Sequence, residues 1–309
     1  MTEKALRDVF GDFLVENAEK YENMIVLDAD LSSSTRTYKF AEKFPERFFN
    51  MGIAEQNMMG TAIGFAISGK IPVVSGFSVF TTGRAWEFIR LACHDNLNVK
   101  IIATHGGFVG KDGSTHHALE DINIMATLPN LNILVPCDEL ELIQMLDYAF
   151  NSDGPFFIRL PRGSFPKIHE KDYNFHLGKP DLIKEGKDLC LIGSGYGVHL
   201  ALNSVRKIEE EFNLPIKVLN LHTIKPIDSK ELSKQLETVK AVITIEENNS
   251  YNGIGSIISK ILSNKNPRLI RSIGLENFGQ SGNRKDLLDF YGLDCENVMR
   301  IVKDLIKSF

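Results

Sequence analysis

Cysteine is scarce in this chain, with four among 309 residues, and no two are spaced as CxxC. That pattern excludes a zinc ribbon and a disulfide framework, and unpaired thiols suit a reducing cytoplasm. No apolar run approaches the ~18 residues that a membrane-spanning helix needs. The opening Met1-Thr2-Glu3-Lys4 has neither an apolar core nor a cleavage site, so no signal peptide is read there. A basic excess is missing too. Lys and Arg number 35 against 40 Asp and Glu, a net charge of −5. A general nucleic-acid binder needs a basic face, so that class is excluded. A local basic pocket for an anionic substrate remains open. The rest of the composition, 43% apolar and 24% charged, is ordinary for a globular chain.

Short β-branched runs alternate with longer amphipathic stretches along the chain. The spacing predicts helices over 5–14, 53–67, 82–93 and 139–150, and strands over 24–27, 72–75, 99–103, 132–135 and 156–160. Residues 161–187 carry Pro161, Pro166 and Pro180 with no clear period and read as a connector. The alternation then restarts, with strands over 189–192, 216–219, 241–245 and 269–273 and helices over 199–212, 253–262 and 298–306. This is the pattern of two α/β domains, each a mostly parallel sheet covered by helices. The boundaries are placed at 1–165 and 186–309, with 166–185 as the linker.

Five stretches carry residues suited to chemistry. In Asn50-Met51-Gly52-Ile53-Ala54-Glu55, a strand gives way to a helix, which puts Glu55 at the carboxyl edge of a parallel sheet. Alternatively, Glu55 merely complements the helix dipole. Phe77 and Phe80 follow a strand and could stack on a flat ring or be core. The loop 104–117 holds four glycines, His105, Asp112, His116 and His117. Its imidazoles could bond sugar hydroxyls, while Asp112, His116 and His117 are also conceivable metal ligands. Arg7, Ser34, Arg36 and Arg162 stand near strand ends, where arginine suits phosphate. Finally, Gly193-Ser194-Gly195-Tyr196-Gly197-Val198 suggests a dinucleotide fingerprint. It fails at Val198, so a tight strand-to-helix turn is favoured.

Taken together, the run Leu27-Asp28-Ala29-Asp30-Leu31-Ser32, the stretch 50–57, the loop 104–117, Leu128-Pro129-Asn130 and Val135-Pro136 resemble the transketolase family. The resemblance covers nearly the whole chain. It is to the pyrimidine-binding plus C-terminal domains, as in the C-terminal subunit of a split, two-chain transketolase. It implies thiamine diphosphate as cofactor, which serves as an electron sink when a two-carbon ketol unit moves from a ketose to an aldose. It implies that Glu55 contacts the aminopyrimidine ring, since a carboxyl shielded from water can share a proton with a ring nitrogen. Phe77 and Phe80 match the aromatics that stack on that ring, and Asp30 and Leu31 a segment that reaches the cofactor across an interface. His105, Asp112 and His116 match contacts to the donor sugar, with His116 in a catalytic role. Arg7, Ser34 and Arg162 match contacts to the acceptor's phosphate or a similar anion.

The Gly-Asp-Gly motif that holds Mg²⁺ and the diphosphate is not found; Lys111-Asp112-Gly113 lacks the first glycine. The diphosphate needs a hard cation with oxygen ligands. The resemblance therefore implies no metal ligand in this chain. It implies a complementary N-terminal subunit carrying that motif and a cytoplasmic assembly with two copies of each chain. The loop after His105 is one residue shorter than in typical transketolases, a length that resembles deoxyxylulose-phosphate synthase. That synthase, a 2-oxoacid dehydrogenase beta-type subunit and a non-catalytic regulatory protein are the rival readings.

Overall fold

A strand buried on both faces reads as an unbroken apolar run, because helices cover both sides of a parallel sheet. Met24–Asp28 and Phe156–Pro161 are buried at every position. The computed structural model describes residues 4–263 and 266–307. It places both strands in a first unit formed by residues up to Val109 and by His116–Phe175. Six strands of this unit run side by side in the order Asn132–Leu134, Phe156–Pro161, Lys100–Gly106, Ile71–Phe77, Met24–Asp28 and Phe48–Asn50. Every one of these pairings is parallel. A small antiparallel pair, Lys4–Ala5 with Ser164–Phe165, ties the start of the chain to the stretch after Pro161.

Gly110–Thr115 and His176 onward form the second unit. Its strands run in the order Leu269–Leu275, Val239–Asn249, Asp188–Gly193, Ile216–Asn220 and Asp181–Lys184, parallel except for the last. The glycines of the 193–197 stretch are packing devices. A Cβ on Gly197 would sit 1.9 Å from the Ile245 carbonyl oxygen, and one on Gly193 would sit 2.3 Å from the Val198 nitrogen. Only glycine permits that approach of helix to sheet. The two domains are thus of the predicted class.

Two local expectations are corrected. The helix predicted over 82–93 is two helices, Ser78–Arg84 and Trp86–His94. They are separated at buried Ala85, whose φ/ψ of −103°/10° leaves the helical region. The irregular stretch after Pro161 contains the strands Ser164–Phe165 and Asp181–Lys184. In the helix Glu55–Ile67, Gly60 packs against Phe88, at 3.4 Å for a Cβ placed on it, while Gly64 has nothing within 4 Å among the described residues.

Lys100 is fully buried inside a strand. Its ammonium donates to the carbonyls of Ser152 (2.8 Å) and Gly154 (3.0 Å) and lies 4.5 Å from the centre of the Phe156 ring. Burial pulls its pKa down to about 7. The unfolded chain keeps this proton up to the ordinary lysine value, so stability rises with pH between the two. Between pH 7 and 9 the gain from this one group is on the order of 2 kcal/mol. Chemical denaturation at both values should show wild type gaining that much relative to Lys100→Met. Parallel pH profiles for the two proteins would show that the amine stays charged in the fold.

Candidate active site

The parallel ladders bring the carboxyl ends of five strands to one edge. In register, Asp28 lies beside Asn50 and Ser75, Phe77 beside Thr104, and Gly106 beside Pro161. Open α/β sheets bind ligands at this edge. The short pairing of Lys4–Ala5 with Ser164–Phe165 brings Arg7 to the same edge, although Arg7 opens a helix and follows no long strand.

Glu55 begins its helix just after Ala54, whose φ of −147° is non-helical. The carboxyl is 2% exposed, and its Oε2 has no hydrogen-bond partner among the described residues. Arg84 Nε stands 3.4 Å from that oxygen. At this length and without hydrogen-bond geometry the contact is Coulombic. An open hollow of about 590 Å³, lined by Ile53, Ala54, Glu55, Gln56, Asn57, Gly83 and Arg84, adjoins the carboxyl. A buried carboxylate oxygen left without a donor is costly unless a ligand supplies one.

Phe77 and Phe80 stack with ring centres 6.1 Å apart and planes 12° from parallel. Two imidazoles join them. His105 lies 3.9 Å from Phe77, and His116 meets Phe80 edge-on at 5.3 Å. His105 adopts a left-handed φ of 59°, uncommon for a side-chain-bearing residue. Its Nδ1 is 2.9 Å from Thr104 Oγ1, and its Nε2 is 3.5 Å from an Arg7 guanidinium nitrogen. That guanidinium also donates to the Ser34 carbonyl at 3.2 Å, so the contact uses Ser34's backbone. Arg162 donates to the Val109 carbonyl. Burial, then the charge of Arg36 and more weakly that of Arg162, pull the Arg7 pKa below its ordinary value.

The structure thus gathers Arg7, Ser34, Phe77, Phe80, His105 and His116. Asp30 is exposed at a left-handed φ of 64° and accepts from Asn50 Nδ2 at 3.1 Å; Leu31 beside it is half-buried. Asp112 is exposed and belongs to Gly110–Thr115, the segment counted with the second unit. There Ser281 donates its hydroxyl to the Lys111 carbonyl. Adjacent His116 and His117 have different surroundings. His117 is buried, packs edge-on against Phe108 and accepts the Val109 N–H on Nδ1.

Comparison with known proteins identifies the scaffold. Residues 2–167 match the family model for the transketolase pyrimidine binding domain, and residues 178–298 that for the transketolase C-terminal domain. A protein of Methanocaldococcus jannaschii named as a transketolase C-terminal section is 40% identical, over 99% of this chain and 97% of its own. The chain belongs to the transketolase family. A 6-deoxy-6-sulfo-D-fructose transketolase subunit from Clostridium sp. is 31% identical over 99% of this chain and 95% of its own. A solved split-gene transketolase in an inactive β4 tetramer superposes with a TM-score of 0.89 at 38% identity, covering 98% of both chains.

Two parts of this candidate site carried no role in the sequence reading. Asp28 ends an otherwise apolar strand, which was the available signal. It is fully buried and accepts from Leu31 N–H (2.6 Å), Thr35 Oγ1 (2.7 Å) and Thr37 Oγ1 (2.9 Å). Burial holds its carboxyl above the usual range despite these donors. One side chain thereby shapes the turn that presents Asp30, Leu31 and Ser34. Arg84 is the second, and its signal was only its place one turn after Phe80.

Asp28→Ala leaves three donors without their acceptor and should cost about 2–4 kcal/mol, while Asp28→Asn should cost less. Urea unfolding midpoints measure this. A loss under about 1 kcal/mol for Asp28→Ala would show that the turn holds itself without the carboxylate.

Proposed function

We propose that this chain is the C-terminal subunit of a thiamine-diphosphate-dependent transketolase. In this reading it moves a two-carbon ketol unit from an anionic ketose to an aldose, together with a complementary N-terminal subunit. The observation that carries the proposal is Glu55, a buried carboxylate with a donor-free oxygen beside an open hollow. A protonated ring nitrogen is the kind of donor that would satisfy it.

When bound, the cofactor supplies a ring that stabilises the carbanion formed in ketol transfer. Glu55 would hold a shared proton at Oε2 against the aminopyrimidine, and the stacked pair Phe77 and Phe80 would take the ring's face. Asp30 and Leu31 would meet the cofactor across the subunit boundary. His105 and His116 would orient sugar hydroxyls and move protons near neutral pH. Asp112 would take part in the same recognition. Arg7 and Arg162 repel each other electrostatically, which an anionic sugar end would relieve.

The Mg²⁺ and most of the diphosphate are assigned to the partner, in a 2+2 assembly. An apolar group beside Glu55 supports a covering chain: Ile53, in the lining of the hollow, is 71% exposed. The sulfofructose relative and the sequence resemblance both favour a sugar bearing phosphate or sulfonate. A cytoplasmic location belongs to the same proposal, supported by four free cysteines. No described helix is long and apolar enough to cross a membrane.

Glu55→Gln should keep the fold and abolish ketol transfer in enzyme reconstituted with the N-terminal subunit. Circular dichroism and a coupled ketol-transfer assay, run against wild type, test this. Near-wild-type turnover removes Glu55 from the mechanism.

Arg7→Ala and Arg162→Ala should lower kcat/KM for phosphorylated sugars far more than for uncharged ones. A charge-assisted contact contributes about 1.5–3 kcal/mol, roughly ten- to a hundredfold. Steady-state kinetics on matched phosphorylated and unphosphorylated acceptors measure the difference. Equal losses on both would make the arginines structural.

A further inference from the structure

Away from the sheet edge, three side chains of different ligating chemistry converge in the first unit. Cys137 lies just before the helix Glu139–Phe150, Glu141 lies in its first turn, and His169 comes from the irregular stretch that follows Ser164–Phe165. One ligand atom from each lies within 4.8 Å of the other two. All three residues are buried, at 1%, 0% and 6% exposure respectively.

The surroundings orient each group. His169 Nδ1 is 3.0 Å from Asp138 Oδ2, and the same oxygen accepts the His169 backbone N–H at 2.7 Å. A carboxylate on one imidazole nitrogen, fixing the ring so that the other nitrogen serves as ligand, is the usual support of a metal-bound histidine. Glu141 is held from both sides. Its Oε1 accepts from the Tyr173 hydroxyl at 3.0 Å and its Oε2 from the Cys137 N–H at 2.7 Å. Nothing in the candidate active site uses these groups.

We propose that Cys137, Glu141 and His169 bind a Zn²⁺-class divalent ion that clamps residues 166–175 onto the start of the helix Glu139–Phe150. A thiolate, an imidazole and a carboxylate suit zinc and its borderline neighbours, whereas Mg²⁺ and Ca²⁺ take oxygen ligands. Zinc bonds of about 2.0–2.3 Å hold tetrahedral ligands about 3.5 Å apart. Each side chain therefore needs to shift inward by less than about 1 Å. The fourth position falls to water. Burial of the set makes the site structural, and Cys137 loses its thiol proton on binding. Without an ion, the same groups would form a clamp of hydrogen bonds alone.

The test uses the full chain, untagged, expressed in zinc-supplemented medium and purified without chelator. Elemental analysis should give about one zinc per chain for wild type, and under about a tenth of that for Cys137→Ala and for His169→Gln. Wild-type protein refolded with Co²⁺ should show thiolate-to-cobalt charge-transfer absorption and the strong visible bands of a tetrahedral site. Cys137→Ala, its fold checked by circular dichroism, should show no charge-transfer band. Background zinc in wild type together with no cobalt band overturns the proposal. So does a metal content or cobalt band that persists unchanged in Cys137→Ala. The wild-type cobalt spectrum stands as a test even where a variant fails to fold.

Discussion

Parallel pairing is the constraint on which the first unit depends. Met24–Asp28, Phe48–Asn50, Ile71–Phe77, Lys100–Gly106 and Phe156–Pro161 all run in one direction, so their carboxyl ends cannot separate. A one-residue slip in any ladder would turn a buried strand's side chains to the wrong face. Residues about 150 positions apart in the chain, such as Arg7 and Arg162, reach one place because the antiparallel pair Lys4–Ala5 with Ser164–Phe165 ties the start of the chain to the end of the strand Phe156–Pro161. The same edge carries the turn built on Asp28, the helix begun by Glu55 and the stacked Phe77 and Phe80.

A buried ion pair then fixes the parts that are not strands. Arg159 Nε donates to Asp121 Oδ2 at 2.7 Å, and the Ser78 hydroxyl donates to the same oxygen. Arg159 also donates to the Ala118 carbonyl at 2.8 Å. Gly106 must be glycine, since a Cβ there would lie 2.6 Å from Arg159 Nε. One guanidinium therefore joins the helix that bears Phe80 and Arg84, the strand end that bears His105, and the return of the loop after His116. A buried pair of this kind gains little net stability, because desolvation of both charges offsets their attraction. Its contribution is to select one arrangement of three segments, and losing either partner would leave a buried charge alone.

The sequence showed the strands and the long helices because burial on both faces writes itself as unbroken apolar runs, as in 24–27 and 156–160. The helix predicted over 139–150 is Glu139–Phe150, and Asp138 caps it by accepting the Glu141 N–H. Elements fixed by only a few hydrogen bonds were illegible. Ser164–Phe165 exists because Lys4–Ala5 lies beside it, a partner about 160 positions away. The break at Ala85 was marked only by Gly83, and a lone glycine inside a helical pattern does not by itself show a break. For the site, residue types at strand ends named Glu55, Phe77, Phe80, His105 and Arg7 without showing that they share an edge. Asp28 stands in the resembling run 27–32 without a role, and Arg159 has none in the sequence either, because a polar residue in an apolar strand gives no hint of its partners.

Under the proposed function, the arrangement at Glu55 gives a physical reason for dividing the site between two chains. A carboxyl that must hand a proton back and forth needs a surrounding without bulk water, because a low dielectric strengthens its contact with a ring nitrogen. This chain supplies the floor: the helix from Glu55, the aromatic pair and the imidazoles. It leaves the hollow open, with Arg84 57% exposed beside the carboxyl and Ile53 exposed at the rim. With solvent at the hollow, the charge of Arg84, which is 57% exposed, is screened where it meets the buried Oε2. A second surface placed over Ile53 would remove that water and bury apolar area in the same step. Under the proposed function, subunit association and the drying of the hollow beside Glu55 are therefore one event, and activity becomes a property of the complex.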